Sequence, residues 1–407
     1  MMNRRKFVAL SLGSLATRTL SFASPKSEKT ALYANVGSML WHYDVDAARG
    51  TLTKRGTVNL PASVQYAWPH VSRRCLYVVS SDSVKRHFLT ALKIDPETGE
   101  LSSLGESVPL PDRPINVTTD IPSDYVLVAF NIPSSVRIFP VQPDLNVGPE
   151  FPQPNVVDSG IYAHQIRVTP DDQHAILVTR GVPATGTQPE WPGALKMFDY
   201  RDGILSNEAS IAPNGGKGFG PRHLDFHPRR PWVYVSLEAQ SKLFMYRLQN
   251  GRLASAPDFT TDTVADAGHL KPRQLAGAIH VHPNGQCVYV ANRCDGTVDF
   301  AGKKIFAGGE NNISVFSINP VNGEPTAVQH IDTQKVYPRT FQIDPTARIL
   351  IAQHTLPVNV RDGDNVREIP AGFTVFRVGS DGRLTFERVY DVETGQETMF
   401  WMGMVKL

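Results

Sequence analysis

Residues 220–248 read GPRHLDFHPRRPWVYVSLEAQSKLFMYRL. Alternating runs occupy 222–226, 232–237 and 242–248, and a turn at His227 and Pro228 separates the first run from the second. Short alternating runs joined by Pro or Gly turns are the pattern of antiparallel strands in hairpins. The stretch therefore predicts one unit of a small sheet.

The unit recurs on both sides. Downstream, 276–293 (AGAIHVHPNGQCVYVANR) is followed by 313–318 (ISVFSI), and 338–355 (PRTFQIDPTARILIAQHT) by 373–378 (FTVFRV). Upstream, 163–180 (AHQIRVTPDDQHAILVTR) is followed by 195–200 (LKMFDY), and 114–130 (PINVTTDIPSDYVLVAF) by 136–141 (VRIFPV). A weaker copy, 66–81 (YAWPHVSRRCLYVVSS), precedes 89–94 (LTALKI). A period of about 50 residues is in the range of propeller blades. The ends supply one more unit: 32–45 (LYANVGSMLWHYDV) lacks a first strand, and 399–407 (MFWMGMVKL) is a first strand without the rest. Joining the tail to the opening unit closes a ring and leaves no free sheet edge. The expected fold is all-β: a seven-bladed β-propeller with four-stranded antiparallel blades, closed by the C-terminal strand, with residues 30–407 as its single domain.

Residues 1–24 stand outside that repeat. Arg4 and Arg5, then Lys6 and Phe7, an apolar run over 8–20 and a small-residue exit at 21–23 have the layout of an export signal of the twin-arginine type. The expected location is the periplasm or the medium, or the cytoplasm if the leader is not cleaved. Arg18 interrupts the apolar run, which is too short to span a bilayer. With 41% hydrophobic residues and a net charge of +2, the chain can build a core and has no general affinity for nucleic acid or membrane. A closed ring is expected to be a monomer. Cys75, Cys287 and Cys294 are odd in number and lack metal-ligand spacing, so they are expected as buried thiols.

Glycine and proline fall in turns such as 95–101 (DPETGEL), 319–325 (NPVNGEP) and 379–384 (GSDGRL), and no phosphate-binding loop is present. Inserts at 181–193, 295–312 and 356–372 interrupt three units between their second and third strands. Inserts at one point of a repeat are expected on one face, beside a binding site.

Pro122, Pro170, Pro228, Pro283 and Pro345 bring the units into register. Six positions earlier stand Asn116, His164, Arg222, Gly277 and Arg339; ten positions later stand Ile132, Arg180, Glu238, Arg293 and Thr355. Adjacent antiparallel strands put the start of one beside the end of the next. Both sets are therefore expected on one rim, where Arg180, Arg222, Arg293 and Arg339 surround Glu238 and His164, with His223 and His280 close by. Converging guanidiniums make an anion site and can hold an oxyanion, and a carboxylate or imidazole among them can move protons. The same groups could instead form an interblade ionic lock. His227 and His282 fall at the opposite edge and are expected to be structural.

The blocks GPRH at 220–223, HP at 227–228, the strand ending in Glu238, IHVHPNG at 279–285 and PR at 338–339 resemble the seven-bladed propeller lactonase family. That family includes bacterial 6-phosphogluconolactonases and a fungal carboxymuconate cyclising enzyme. The resemblance covers nearly all of the chain after the leader. It implies a catalytic set of His164, Arg222, Glu238 and Arg293 and no metal; the rim reading adds substrate contacts from Arg180, His223, His280 and Arg339, and no cofactor is expected. The expected activity is hydrolysis of a small anionic sugar-type or carboxylated lactone, with Glu238 or His164 as the base. Muconate cycloisomerisation and a non-catalytic propeller that binds a protein or polymer are the alternatives. A phosphorylated sugar lactone is a cytoplasmic metabolite, at odds with an export signal.

Overall fold

The computed structural model describes residues 29–407. The expected export signal lies outside them. Seven sheets stand around a central axis. Blade 1 contains Thr30–Val36, Met39–Asp46 and Thr51–Asn59, and its axial strand is the C-terminal Met402–Lys406, antiparallel to Thr30–Val36. The axial strands of blades 2 to 7 are Ser63–Pro69, Pro114–Thr119, Ala163–Val168, Pro221–Phe226, Leu275–Val281 and Pro338–Ile343. Each contacts its neighbours, and Met402–Lys406 closes the circle between the last and the first of them. Blade 1 is thus built from both chain ends, as the repeat predicts.

Blade 3 departs from four strands: only Pro114–Thr119, Tyr125–Asn131 and Ser134–Pro140 pair as a sheet. Its outer edge is satisfied by irregular chain, with a Val141–Val147 bridge and the Gly148 and Phe151 amides bonded to the carbonyls of Pro140 and Ile138. Pro140 has no amide hydrogen to give a ladder, and proline is suited to such an edge. In blades 2 and 5 the outer strand is split in two.

The core lies between blades. Seven clusters of buried apolar side chains each combine residues from two adjacent sheets, and together they complete the circle. Second strands are consequently covered on both faces, so Trp232–Leu237 is buried at every position, without the polar alternation of a one-sided sheet. Hydroxyls pin neighbouring blades. Tyr33, Tyr77, Tyr234 and Tyr289 donate to the carbonyls of Gly99, Leu145, Gly323 and Gly382 in the outer turn of the next blade, at 2.7, 3.1, 2.8 and 2.7 Å. Gly323 and Gly382 sit at φ 83° and 80°, and a Cβ there would run into Met245 and Cys287. These turn glycines let one blade dock on the last.

All three cysteines are free and buried. Their thiols are pushed up by burial, Cys75 to about 12 and Cys287 to about 11. His227 and His282 staple turns: Nδ1 of His227 accepts the Arg229 and Arg230 amides, and Nδ1 of His282 accepts that of Asn284. The inserts share the opposite edge. Val182 and Trp191 bridge the first. The second and third form hairpins, Thr297–Phe300 with Lys303–Phe306 and Val358–Asp362 with Asn365–Ile369, which lean together through Arg361 over the Phe300 ring at 4.5 Å. Among the described residues no helix is long and apolar enough to cross a membrane.

Candidate active site

A closing turn hydrogen bond marks the same place in six blades: His70, Asp120, Thr169, His227, His282 and Asp344 each donate an amide to the first residue of the second strand. Counting back five gives Gln65, Ile115, His164, Arg222, Gly277 and Arg339. At these points the ladders slip. A bulge leaves one residue unpaired and re-aims its side chain. Five of these residues, all but Gly277, line one small pocket at the mouth of the channel with Tyr66, His223, Thr340, Phe400 and Trp401.

The proline register is one residue off in blade 3, where Pro122 sits later in its turn. The matching residues there are Ile115 and Asn131, not Asn116 and Ile132. Asn116 instead accepts the Ile166 amide at 3.1 Å, tying blade 3 to blade 4.

Arg180 and Glu238 follow their second strands, Arg293 ends its own, and all three turn inward at the same edge. Arg180 Nη1 donates to Glu238 Oε2 at 2.8 Å and Arg293 Nη2 to Oε1. Arg222 Nε lies 3.1 Å from Oε1 without the alignment of a hydrogen bond, while its Nη1 donates to His223 Nδ1 at 3.0 Å. The His223 and His164 rings meet edge-on, centroids 5.0 Å apart. Arg339 stacks 3.4 Å from the Phe400 ring centroid and donates Nε to the Phe400 carbonyl. The rings of Tyr162 and Tyr337 lie 4.2 and 5.2 Å from the guanidiniums of Arg180 and Arg293. Both tyrosines have φ 60°, strained for a residue with a side chain, and Gly220 takes the same conformation in blade 5.

Gly277 is the bulge residue without a side chain, and the reason is Arg293. A Cβ there would stand 3.1 Å from Arg293 Nη1 and from the Ala291 carbonyl. Gly277→Val is expected to push the Arg293 guanidinium off Glu238 and to lower stability by about 1–3 kcal/mol. A crystal structure and a melt of the variant check both.

Four guanidiniums face one carboxylate here. Burial alone would raise Glu238, but Arg293, Arg222 and Arg180 outweigh it and hold the carboxyl far below the usual range. Burial, then Arg222, drives both His164 and His223 well below 6.5, so both rings are neutral at pH 7. Burial, then Arg293, lowers Arg222 and brings Arg339 down to about 10. Several buried nitrogens have no hydrogen-bond partner among the described residues: Arg293 Nε and Nη1, Arg222 and Arg180 Nε, and His164 Nδ1. Buried guanidinium donors without acceptors are costly, and an anion beside Arg222 and Arg293 would satisfy theirs.

His280 is elsewhere. It lines a deeper channel cavity of about 190 Å³ with Asp225, Arg167 and Gln342. Its Nδ1 is 3.8 Å from Asp225 Oδ2, and its Nε2 accepts from Gln342 at 3.3 Å. His223 lines both cavities, so it joins the cluster to the channel. The rim register did not reach Gln65, held by Arg113 at 2.7 Å, or the two stacking tyrosines. The Gln65 strand lacks the turn proline that set the count; the tyrosines lie one residue before strand starts.

Among the described residues one group, His174, Asp199 and Glu208, brings three ligand atoms within 4.8 Å of one another. It lies at the turn edge of blade 4, and Arg252 pairs with both carboxylates. The rim cluster offers mainly guanidinium donors, which do not ligate metals.

A family model described as Lactonase, 7-bladed beta-propeller, matches residues 30–361. The chain is 28% identical over 279 residues to a 6-phosphogluconolactonase of Bacillus subtilis (strain 168), covering 65% of this chain and 70% of that one. The periplasmic gluconolactonase PpgL of Pseudomonas aeruginosa superposes with a TM-score of 0.67 at 20% identity, covering 93% and 99% of the two chains. A Bacteroides uniformis protein crystallised as a candidate 6-phosphogluconolactonase gives 0.68 at 21%, covering 93% and 100%. At such identities the two solved structures speak for the fold alone.

Proposed function

The chain belongs to the seven-bladed β-propeller lactonase family, and from that premise we propose that it hydrolyses a sugar-type or carboxylated lactone at the Arg222–Glu238–Arg293 cluster, without a metal. The observation that carries the reading is the excess of buried guanidinium over carboxylate, with N–H groups of Arg222 and Arg293 left over. Such preorganised donors favour an oxyanion.

In this mechanism the lactone carbonyl oxygen lies against Arg222 and Arg293. Water attacks the carbonyl carbon and gives its proton to His164, whose ring is neutral and whose Nδ1 is uncommitted. Arg222 and Arg293 donate to the tetrahedral oxyanion. The ring C–O bond then breaks, the alkoxide takes the proton from His164, and the carboxylic acid so formed releases its proton to solvent and leaves as a hydroxy carboxylate. Glu238 holds the guanidiniums in place and takes no proton. The leader at 1–24 supports work outside the cytoplasm, and the closed ring supports a monomer.

The test is acid release at constant pH above the spontaneous rate, from gluconolactone, its 6-phosphate and a muconolactone. Arg222→Ala is expected to lower kcat/KM by about 10²–10³. Arg222→Lys should recover little of it, because an ammonium lacks the planar fork. Normal turnover by both variants, or no turnover of any lactone by the parent, would overturn the reading. A change in muconate absorbance without acid release would point to cycloisomerisation.

A further inference from the structure

Beside the cluster, on the far side of Glu238, lies a second pocket of about 290 Å³. Arg180 and Glu238 form one end, and the insert at 181–193 forms a wall with Val182, Pro183, Glu190 and Trp191. The insert is fixed. Val182 and Trp191 exchange both backbone hydrogen bonds, at 3.0 and 2.9 Å, and the Gly193 amide donates to the Gly216 carbonyl at 3.0 Å. Gly181, at φ 68°, allows the closest approach, since a Cβ there would strike the Trp191 carbonyl. Glu190 Oε1 accepts the Gly218 amide, and no cation pairs with Glu190 among the described residues.

Two carboxylates and one guanidinium line this pocket, the reverse of the balance at the channel mouth. Arg180 is already committed to Glu238 through Nη1, while its buried Nε has no partner among the described residues. A phosphate dianion here would face Glu190 at close range, and like charges brought together without a counter-ion are disfavoured. Hydroxyls suit the same groups: a carboxylate accepts them, and the half-exposed Trp191 offers an apolar face to a sugar ring.

We infer that the pocket under residues 181–193 is the subsite for the hydroxylated carbon chain of an unphosphorylated sugar lactone, with Trp191 packing on it and Glu190 accepting its hydroxyls and rejecting a phosphate ester. This rests on the lactonase reading for the reaction, and on the pocket alone for the binding.

Two measurements keep those apart. In turnover, the parent should favour gluconolactone over its 6-phosphate. Trp191→Ala should raise KM for gluconolactone by about tenfold with a smaller effect on kcat, and Glu190→Gln should narrow the preference by about tenfold. In binding, saturation-transfer NMR with gluconate and with 6-phosphogluconate reports the subsite whether or not a lactone is hydrolysed. Gluconate should give the signal and Trp191→Ala should remove it, with the melting temperature unchanged because the ring stands on the surface. A preference for the phosphate ester, or a gluconate signal that survives Trp191→Ala, would overturn the subsite while leaving the lactonase reading standing. Gluconate binding without any turnover would do the opposite.

Discussion

Glu238→Gln is expected to cost about 3–5 kcal/mol of folding stability, the usual penalty for removing one partner of a buried ionic group. Three arginines share this carboxylate, and Arg222 and Arg293 are almost wholly buried. The glutamine amide neutralises none of them, so their mutual repulsion goes unbalanced. The variant should unfold at markedly lower urea concentration than the parent, and sulfate or phosphate should restore part of the loss by binding the exposed guanidiniums. The result also separates two roles for Glu238. A counter-ion gives an unstable protein that anions rescue, whereas a variant of parental stability with no turnover would make Glu238 the proton acceptor and return His164 to a supporting part.

Stability is also expected to fall between pH 7.5 and pH 5.5, by about 1.4 kcal/mol through His354 and further through His164 and His223, again read by urea denaturation. His164, His223 and His354 are held neutral in the fold. Burial is the first cause for each, and it brings His354 to about 3. In the unfolded chain each titrates near 6.5. The folded values are depressed, so the contribution is fully present above 6.5 and is lost as pH falls, because the unfolded state takes up protons that the folded state refuses. His354 accounts for about 1.4 kcal/mol per pH unit below 6.5, continuing to about pH 3. Glu238 adds to the loss in the same direction below the ordinary glutamate range. A flat profile down to pH 5.5 would show that these rings are protonated in the folded protein.

The ring itself was legible because a propeller repeats its turns: a proline or a closing hydrogen bond at one place in each blade puts His164, Arg222 and Arg339 in the same structural position. The register worked even though each ladder carries a bulge, since the bulges fall together. It failed in blade 3, where the turn holds its proline one residue later and the count landed on Asn116. Pairing inside the cluster was beyond the sequence. Spacing places Glu238 on the rim but not between three guanidiniums, and so could not choose between base and counter-ion. Gly277 looked like an empty slot in the alignment, although Arg293 fills the space its side chain would take. His280, three residues past the bulge at Gly277, was assigned to the rim by proximity in sequence and belongs to the channel.

The axial strand Met402–Lys406 follows every other strand of the ring in the chain, yet the first blade is incomplete without it. Folding from the N-terminus as the chain emerges can stack blades but cannot lock them, so the arc stays open until Met402–Lys406 has been made. The remedy is already drawn in the structure: the Leu407 amide donates to the Lys29 carbonyl at 3.0 Å. Fusing those neighbours and cutting the exposed turn at Val321 would give a circular permutant with every strand pairing kept and its closure moved to a different seam.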